Sequence, residues 1–270
     1  MYDPQGWSAS LYNKSAAFVY STAFTAPVLD MLAAKPGEKI IDLGCGSGEV
    51  TLAIEKNVKQ SAGGLVVGVD YSESMIAKAK QAGLDYVFVA DVQDLDIPMA
   101  AFSSGDPDFK FDAAFSNAAL HWCKRDPAGV LESVKKILKP GGRLVVEMGG
   151  AMNCIGIRGA LHRAVKSRGQ DPLPLDPWFF PSVEDYTKLL VAASFKPLQM
   201  SLTPRATPLE DGVKGWLELF ARKAFLKDFS DNEATEIIDE VVDACRIDCQ
   251  DSSGKWQMMY SRLRFEAVLL

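Results

Sequence analysis

Seven residues constrain this chain more than any others. Asp42-Leu43-Gly44-Cys45-Gly46-Ser47-Gly48 stands where a short apolar run gives way to a helix-patterned segment. Lys39-Ile40-Ile41-Asp42-Leu43 reads as a buried strand, and Val50, Ala53, Ile54 and Val58 keep helical spacing after it. Glycines at such a turn let the backbone approach a ligand closely, and the helix start carries unpaired N–H groups.

The strand-then-helix pattern recurs. Leu65-Val66-Val67-Gly68-Val69-Asp70 is a second buried strand, with Ser72 as N-cap of the helix that carries Met75, Ile76 and Ala79, and Gly83 as its stop. Tyr86–Ala90 predicts a third strand, ending at Asp91, and Phe111–Ser116 a fourth. Asp126-Pro127 opens a helix that Pro140-Gly141-Gly142 breaks, and Arg143–Met148 is a fifth strand. Near-continuous apolar strands joined by helices predict an α/β fold with a doubly wound, mostly parallel sheet. Its ligand site then lies over the strand C-termini.

The second half reads differently. A loop-helix insertion follows Gly149, Ser182 starts a helix, and Lys196–Leu202 reads as a strand. Helices are expected around Val213–Leu226 and from Ser230 to Arg246, and Met259–Leu269 alternates as a last strand. The expected division is an N-terminal lid (1–30), a ligand-binding core (31–150), an insertion with remaining core (151–205), a helical cap (206–255) and the last strand (256–270).

Composition removes several function classes. In 270 residues, 29 Lys+Arg against 35 Asp+Glu give a formal charge of −6, without a basic run, so neither nucleic acid nor an anionic membrane is an expected partner. No apolar stretch approaches the ~18–20 residues of a membrane span. Met1-Tyr2-Asp3-Pro4 lacks the start of a signal peptide. Five cysteines without paired spacing suit a reducing, cytoplasmic setting. Cys245 and Cys249, four apart, lack the further ligands of a metal site, so no metal is expected. With only His121 and His162, histidine clusters are excluded. The oligomeric state is left open, a monomer included.

Asp70 lies 22 residues after Gly48, where a carboxylate can hold two ribose hydroxyls, and Asp91 can accept from an adenine amino group with Val92 against the ring. A dinucleotide fingerprint would need glycine at 49, but Glu49 would face a pyrophosphate. An adenosyl cofactor without phosphate, carrying an amino-acid tail and a sulfonium, suits the acidic loop better. A nicotinamide dinucleotide is the distant alternative.

The loop, Gly68-Val69-Asp70-Tyr71-Ser72, Asp91 and Ser116-Asn117-Ala118-Ala119-Leu120-His121-Trp122 resemble the successive motifs of class I S-adenosylmethionine-dependent methyltransferases. More narrowly they are similar to the branch containing trans-aconitate methyltransferase and the malonyl-carrier-protein methyltransferase. Trp7–Tyr12 and the segment beginning Gly215-Trp216 share that likeness. The resemblance implies a seven-stranded sheet with an antiparallel last strand, and S-adenosylmethionine as cofactor. Carried over by position, Gly44, Cys45, Gly46 and Gly48 would line the methionine moiety. Asp70 would bind the ribose, with Tyr71 beside it a further cofactor contact, Asp91 and Val92 would lie at adenine, and Asn117 beside the methionine portion. Tyr12 and Trp7 would belong to a lid over cofactor and substrate.

The methyl acceptor is expected to be a small molecule, most simply a carboxylate, which is ionised at neutral pH and needs no base. It needs donors, commonly an arginine fork. A phenol, hydroxyl, amine or carbon acceptor would want a base, and a non-catalytic module retaining the fold is a further alternative. His121 is the candidate catalytic residue, either a base or substrate donor or a hydrogen-bonded rim residue. Arg262 is a candidate substrate contact, alternating with Arg264 across the last strand. Trp122, Trp178-Phe179-Phe180 and Trp216 are candidates for the walls of an apolar pocket or for lid-to-core packing.

Overall fold

The computed structural model describes residues 22–103 and 105–270. One seven-stranded sheet organises them, with strands β1 (Lys39–Leu43), β2 (Leu65–Asp70), β3 (Val87–Val89), β4 (Phe111–Asn117), β5 (Leu138–Gly149), β6 (Phe195–Leu209) and β7 (Trp256–Leu269). The spatial order is β3-β2-β1-β4-β5-β7-β6. β1 pairs in parallel with β2 on one side (Lys39 opposite Leu65) and with β4 on the other (Ile40 opposite Ala113). The winding therefore reverses between β1 and β4, which opens a crevice above their C-terminal ends. β7 runs antiparallel to both its neighbours.

Local chemistry sets the helix starts that frame this crevice. Gly48, at φ 95°, ends the loop and precedes α1 of the crevice wall, Glu49–Val58. Ser72 caps α2 (Glu73–Gln81) by accepting from the Met75 N–H, and Asp126 caps α3 (Pro127–Ile137) by accepting from the Gly129 N–H. Below the sheet, the preceding helix Thr22–Leu32 buries Val28 and Leu32 with Ile40, Phe115 and Val145. The described part of the expected N-terminal lid is thus core packing. On the opposite face, Leu263, Phe265 and Ala267 join Val67, Ala114 and Val146, as the alternation of the last strand predicts.

A second hydrophobic cluster stands beyond the sheet. It joins α4 (Ile157–Ser167), α5 (Gly212–Phe220) and α6 (Asp231–Cys249), so the insertion after β5 and the helices between β6 and β7 share one cap. The start of α6 carries a full capping box between Ser230 and Glu233. Cys245 and Cys249 lie on its buried stripe. The helix expected to reach Leu226 stops at Phe220, and turns carry the chain onward.

β6 is the main departure from expectation. It extends to Leu209 and pairs with β7 from Phe195–Leu269 to Leu209–Trp256. Pro197, Pro204 and Pro208 lie in this run and obscure it, because proline removes ladder donors. The strand tolerates them because it is the sheet edge, with one side unpaired.

Candidate active site

Gly44 is at φ 82°, and a Cβ there would stand 2.2 Å from the Ala119 Cβ. Only glycine lets the loop after β1 pass so close to the turn after β4. The loop's N–H groups are largely used internally. Gly44 and Cys45 both donate to Val69 O (2.8 and 2.9 Å), Gly48 donates to Cys45 O, and Gly46 donates to Asp70 Oδ2 at 3.0 Å. The loop thus offers close approach more than the row of free donors that the glycine pattern suggests. Gly46 and Gly48 also hold positive φ, and a Cβ on Gly48 would stand 2.6 Å from Leu84.

Cys45 corrects one expectation. Its side chain is turned away into the packing of Ile76, Ala79, Leu84 and Val87, and burial pushes its thiol pKa well up. Any contact with a ligand is left to its backbone.

Asp70, at the tip of β2, accepts from the Ser72 N–H at 2.8 Å as well as from Gly46. Each oxygen keeps further lone-pair capacity, which a ribose diol can use. Burial raises its pKa against the pull of these backbone bonds. Behind it Asp42, 2 % exposed, accepts from Thr51 Oγ1 at 2.6 Å. Burial, against the Thr51 bond and with the Asp70 charge, lifts Asp42 to about 7. Asp42 stood inside the recognised motif, yet its buried bond to Thr51 is visible only in the fold.

Tyr71 follows Asp70 and is exposed, while Val92 is half-buried against the sheet core. Asp91 accepts from the Gln93 backbone (2.9 Å) and from Arg125 (2.7 Å). Burial opposes ionisation there, but these bonds hold its pKa below the usual carboxylate range. Asn117 closes β4, two residues before Ala119, which Gly44 approaches. The three strand tips thus bring together the residues expected at methionine, ribose and adenine. Trp7 and Tyr12 lie outside the described residues.

His121 is not a rim residue. The turn Leu120–Trp122 places it 9 % exposed, and its Nδ1 accepts the Gly149 N–H at 3.3 Å. Burial, then the neighbouring Arg262 charge, lowers its pKa to about 3, so the imidazole is neutral. The Gly149 bond assigns the proton to Nε2.

His121 and Arg262 line one small cavity with Trp122, Asn153, Trp178, Phe180, Trp216 and Tyr260. Trp178 contacts the other aromatic walls, with ring centroids 5.9 Å from Trp122, 5.7 Å from Trp216 and 6.1 Å from Phe180. The Trp216 indole donates to Tyr260 Oη at 2.7 Å. The free space is about 30 Å³, room for little more than water.

Arg262 is 4 % exposed, and its Nε has no hydrogen-bond partner among the described residues. Its guanidinium lies 4.5 Å from the Tyr260 ring centroid. Arg264, two residues on, donates from Nε to Glu147 at 2.8 Å, and Arg205 stands 3.5 Å from the other Glu147 oxygen. Sequence reasoning missed Arg205 and Glu147, which no motif marks. In the cap, Arg158 and His162 both bind the buried Asp176, at 2.6 and 2.8 Å, which ties the loop before Trp178 to α4.

The donor set fits S-adenosylmethionine. Left-handed glycines clear space beside the β4 turn, the half-buried Asp70 keeps lone-pair capacity for a diol at the β2 tip, and Glu49 opens the crevice helix where a phosphate would need a positive field.

A family described as a methyltransferase domain matches residues 41–146. An uncharacterised methyltransferase of Schizosaccharomyces pombe is 34% identical over 97% of both chains. A trans-aconitate 2-methyltransferase of Deinococcus radiodurans is 32% identical over 53% of this chain and 49% of its own length. Magnesium protoporphyrin IX methyltransferase of Synechocystis, solved with S-adenosylhomocysteine bound, superposes with a TM-score of 0.53 at 16% identity, covering 97% of this chain and 91% of that one. With its strand order, its glycine loop and a relative matched along nearly its whole length, this chain belongs to the class I S-adenosylmethionine-dependent methyltransferases.

Proposed function

We propose that this enzyme methylates a carboxylate oxygen of a small-molecule acid. The supporting observation is the tautomer of His121. With Nδ1 engaged by Gly149, its Nε2–H is a donor and not a base. A carboxylate needs donors and no base, and a buried guanidinium, Arg262, lines the same cavity.

The cofactor supplies an electrophilic methyl group on a sulfonium. Gly44, Gly46 and Gly48 would hold its methionine portion, Asp70 and Tyr71 its ribose, Asp91 and Val92 its adenine, with Asn117 at the β4 tip. Arg262 and His121 hold the acceptor oxygens in line. The aromatic walls of Trp122, Trp178 and Trp216 exclude water, which favours a displacement whose charges cancel. No proton has to leave, so a depressed His121 pKa costs the reaction nothing. The partial likeness to a trans-aconitate methyltransferase supports a carboxylate acceptor. Five free, buried cysteines suit a cytoplasmic setting.

The test is turnover of a panel of carboxylic acids, phenols and amines, reading released S-adenosylhomocysteine and the mass of the product. Methyl esters, with His121→Gln retaining turnover within about fivefold, support the reading. Ether or amine products, or collapse of His121→Gln with cofactor affinity intact, overturn it.

A further inference from the structure

We propose that Lys124 is a positioning residue that ties one wall of the acceptor cavity to the cofactor side of the site, so that cofactor binding firms the wall. This rests on the adenine placement at Asp91 and on the cavity that His121 and Arg262 line, and goes beyond both by naming what joins them.

Two segments meet at Lys124. The turn after β4, residues 118–126, carries His121 and Trp122 into the cavity. The run from Asp171 to Pro181 carries Trp178 and Phe180. Beyond the four-residue helix Pro172–Leu175, this run has no regular structure until Val183. With no ladder of its own, it is held in place by the few bonds it makes to its neighbours.

Lys124 supplies two of those bonds. Its Nζ donates to Asp176 O at 2.6 Å and to Leu173 O at 3.0 Å. These carbonyls lie at the C-terminal end of the short helix, where an ammonium satisfies groups left without helical partners. Three residues before Lys124, His121 O accepts the Phe179 N–H at 2.8 Å. The wall therefore hangs from the turn on both sides of Trp178. The Asp176 carboxylate completes the support: it accepts from Arg158 and His162 of the cap, and its Oδ1 accepts the Trp178 N–H at 3.0 Å.

The same turn is gripped from the cofactor side. Arg125 donates to Asp91 Oδ2 at 2.7 Å, and the Asp126 N–H donates to Gln93 Oε1 at 2.9 Å. Gln93 in turn donates to Asp91 Oδ1 from its backbone N–H and its amide, at 2.9 and 3.1 Å. Lys124 and Arg125 are adjacent, yet one holds the wall and the other the acid assigned to adenine. An adenine amino group bonded to Asp91 joins the set that fixes this end of the turn, and Lys124 passes that restraint to the carbonyls beneath Trp178.

The experiment is hydrogen–deuterium exchange on the intact protein, with and without saturating S-adenosylhomocysteine, read over residues 68–72, 89–93 and 172–181. In the wild-type protein all three segments should exchange more slowly with the ligand, 172–181 by at least about threefold. Lys124→Met keeps the stem and removes the donors. It should lose the ligand effect at 172–181, keep it at 68–72 and 89–93, and bind S-adenosylhomocysteine within about threefold of wild type. A merely structural Lys124 would instead speed exchange in both states and leave the difference intact. A ligand effect at 172–181 that survives in Lys124→Met overturns the inference. So does its absence from the wild-type protein, a result that needs no variant to fold. Absence of protection at 89–93 removes adenine from Asp91 and the inference with it. The identity of the acceptor is decided separately, by the products formed.

Discussion

Nδ1 of His121 accepts the backbone N–H of Gly149 over 3.3 Å, and this one bond joins the turn after β4 to the tip of β5 at the cavity that His121 and Arg262 line. Gly149 has no freedom to be anything larger, since a Cβ there would stand 2.6 Å from the Phe180 ring. The consequence is a histidine locked as a neutral donor.

That lock has a pH signature. His121 titrates at about 3 in the fold against 6.5 ordinarily, so between those values the unfolded chain binds the extra proton. Its contribution to stability is complete above about pH 6.5 and is lost as the pH falls towards 3. Asp42, lifted from 3.8 to about 7, does the reverse: its contribution is complete below about 3.8 and is lost as the pH rises through 7. The two slopes oppose each other in one window, each at most about 1.4 kcal/mol per pH unit. Denaturant melts of cofactor-free protein from pH 4 to 7 should show that, relative to wild type, His121→Gln loses stability as pH rises and Asp42→Asn gains it. Slopes identical to wild type in both variants contradict the assignment.

The loop makes a steric prediction. Gly44→Ala carries a left-handed penalty of about 1–2 kcal/mol and a clash with Ala119 worth about 1–3 kcal/mol more. Gly63, at φ 86° with nothing within 4 Å of a built Cβ, is the control: Gly63→Ala should carry the conformational part alone. Equal melting shifts in the two variants would mean that the loop does not press on the β4 turn.

At the ribose position, Asp70→Ala should weaken S-adenosylhomocysteine binding by roughly 1.5–3 kcal/mol, the scale of hydrogen bonds to a charged group. Loss of the Gly46 and Ser72 bonds adds to this by loosening the loop. Calorimetric titration reads it directly, and an unchanged Kd removes Asp70 from the site.

For the acceptor, Arg262→Gln should lower kcat/KM for a carboxylic acid by about 10²-fold, or roughly 2–3 kcal/mol, as expected when a buried charged partner is truncated. Cofactor affinity, measured separately, should hold within about threefold, because Arg262 lies on β7 and away from the β1–β3 tips. A joint loss of both affinities would place Arg262 at the cofactor instead.

Much of the cofactor side was legible because its signals are local. The turn after Leu43 needs glycine for reasons contained in a few residues, and Ser72 and Asp126 announce their helices by capping chemistry. The acceptor side was not. Arg262 could be named as a candidate, but whether it faced solvent or a cavity depended on what covers β7. Arg205 lay in a proline-bearing stretch whose strand character only pairing with β7 reveals.

The sequence by itself determined the strand–loop–helix units and the acids at the strand tips, because backbone sterics and periodicity act over a few neighbouring residues. Tertiary structure alone decided the company that the charges keep. Glu147, Arg205 and Arg264 meet because β5, β7 and β6 pair across long stretches of chain. His121 became a donor because a backbone amide 28 residues away claimed its other nitrogen. Burial and electrostatics depend on distance in space, and sequence spacing carries no record of it.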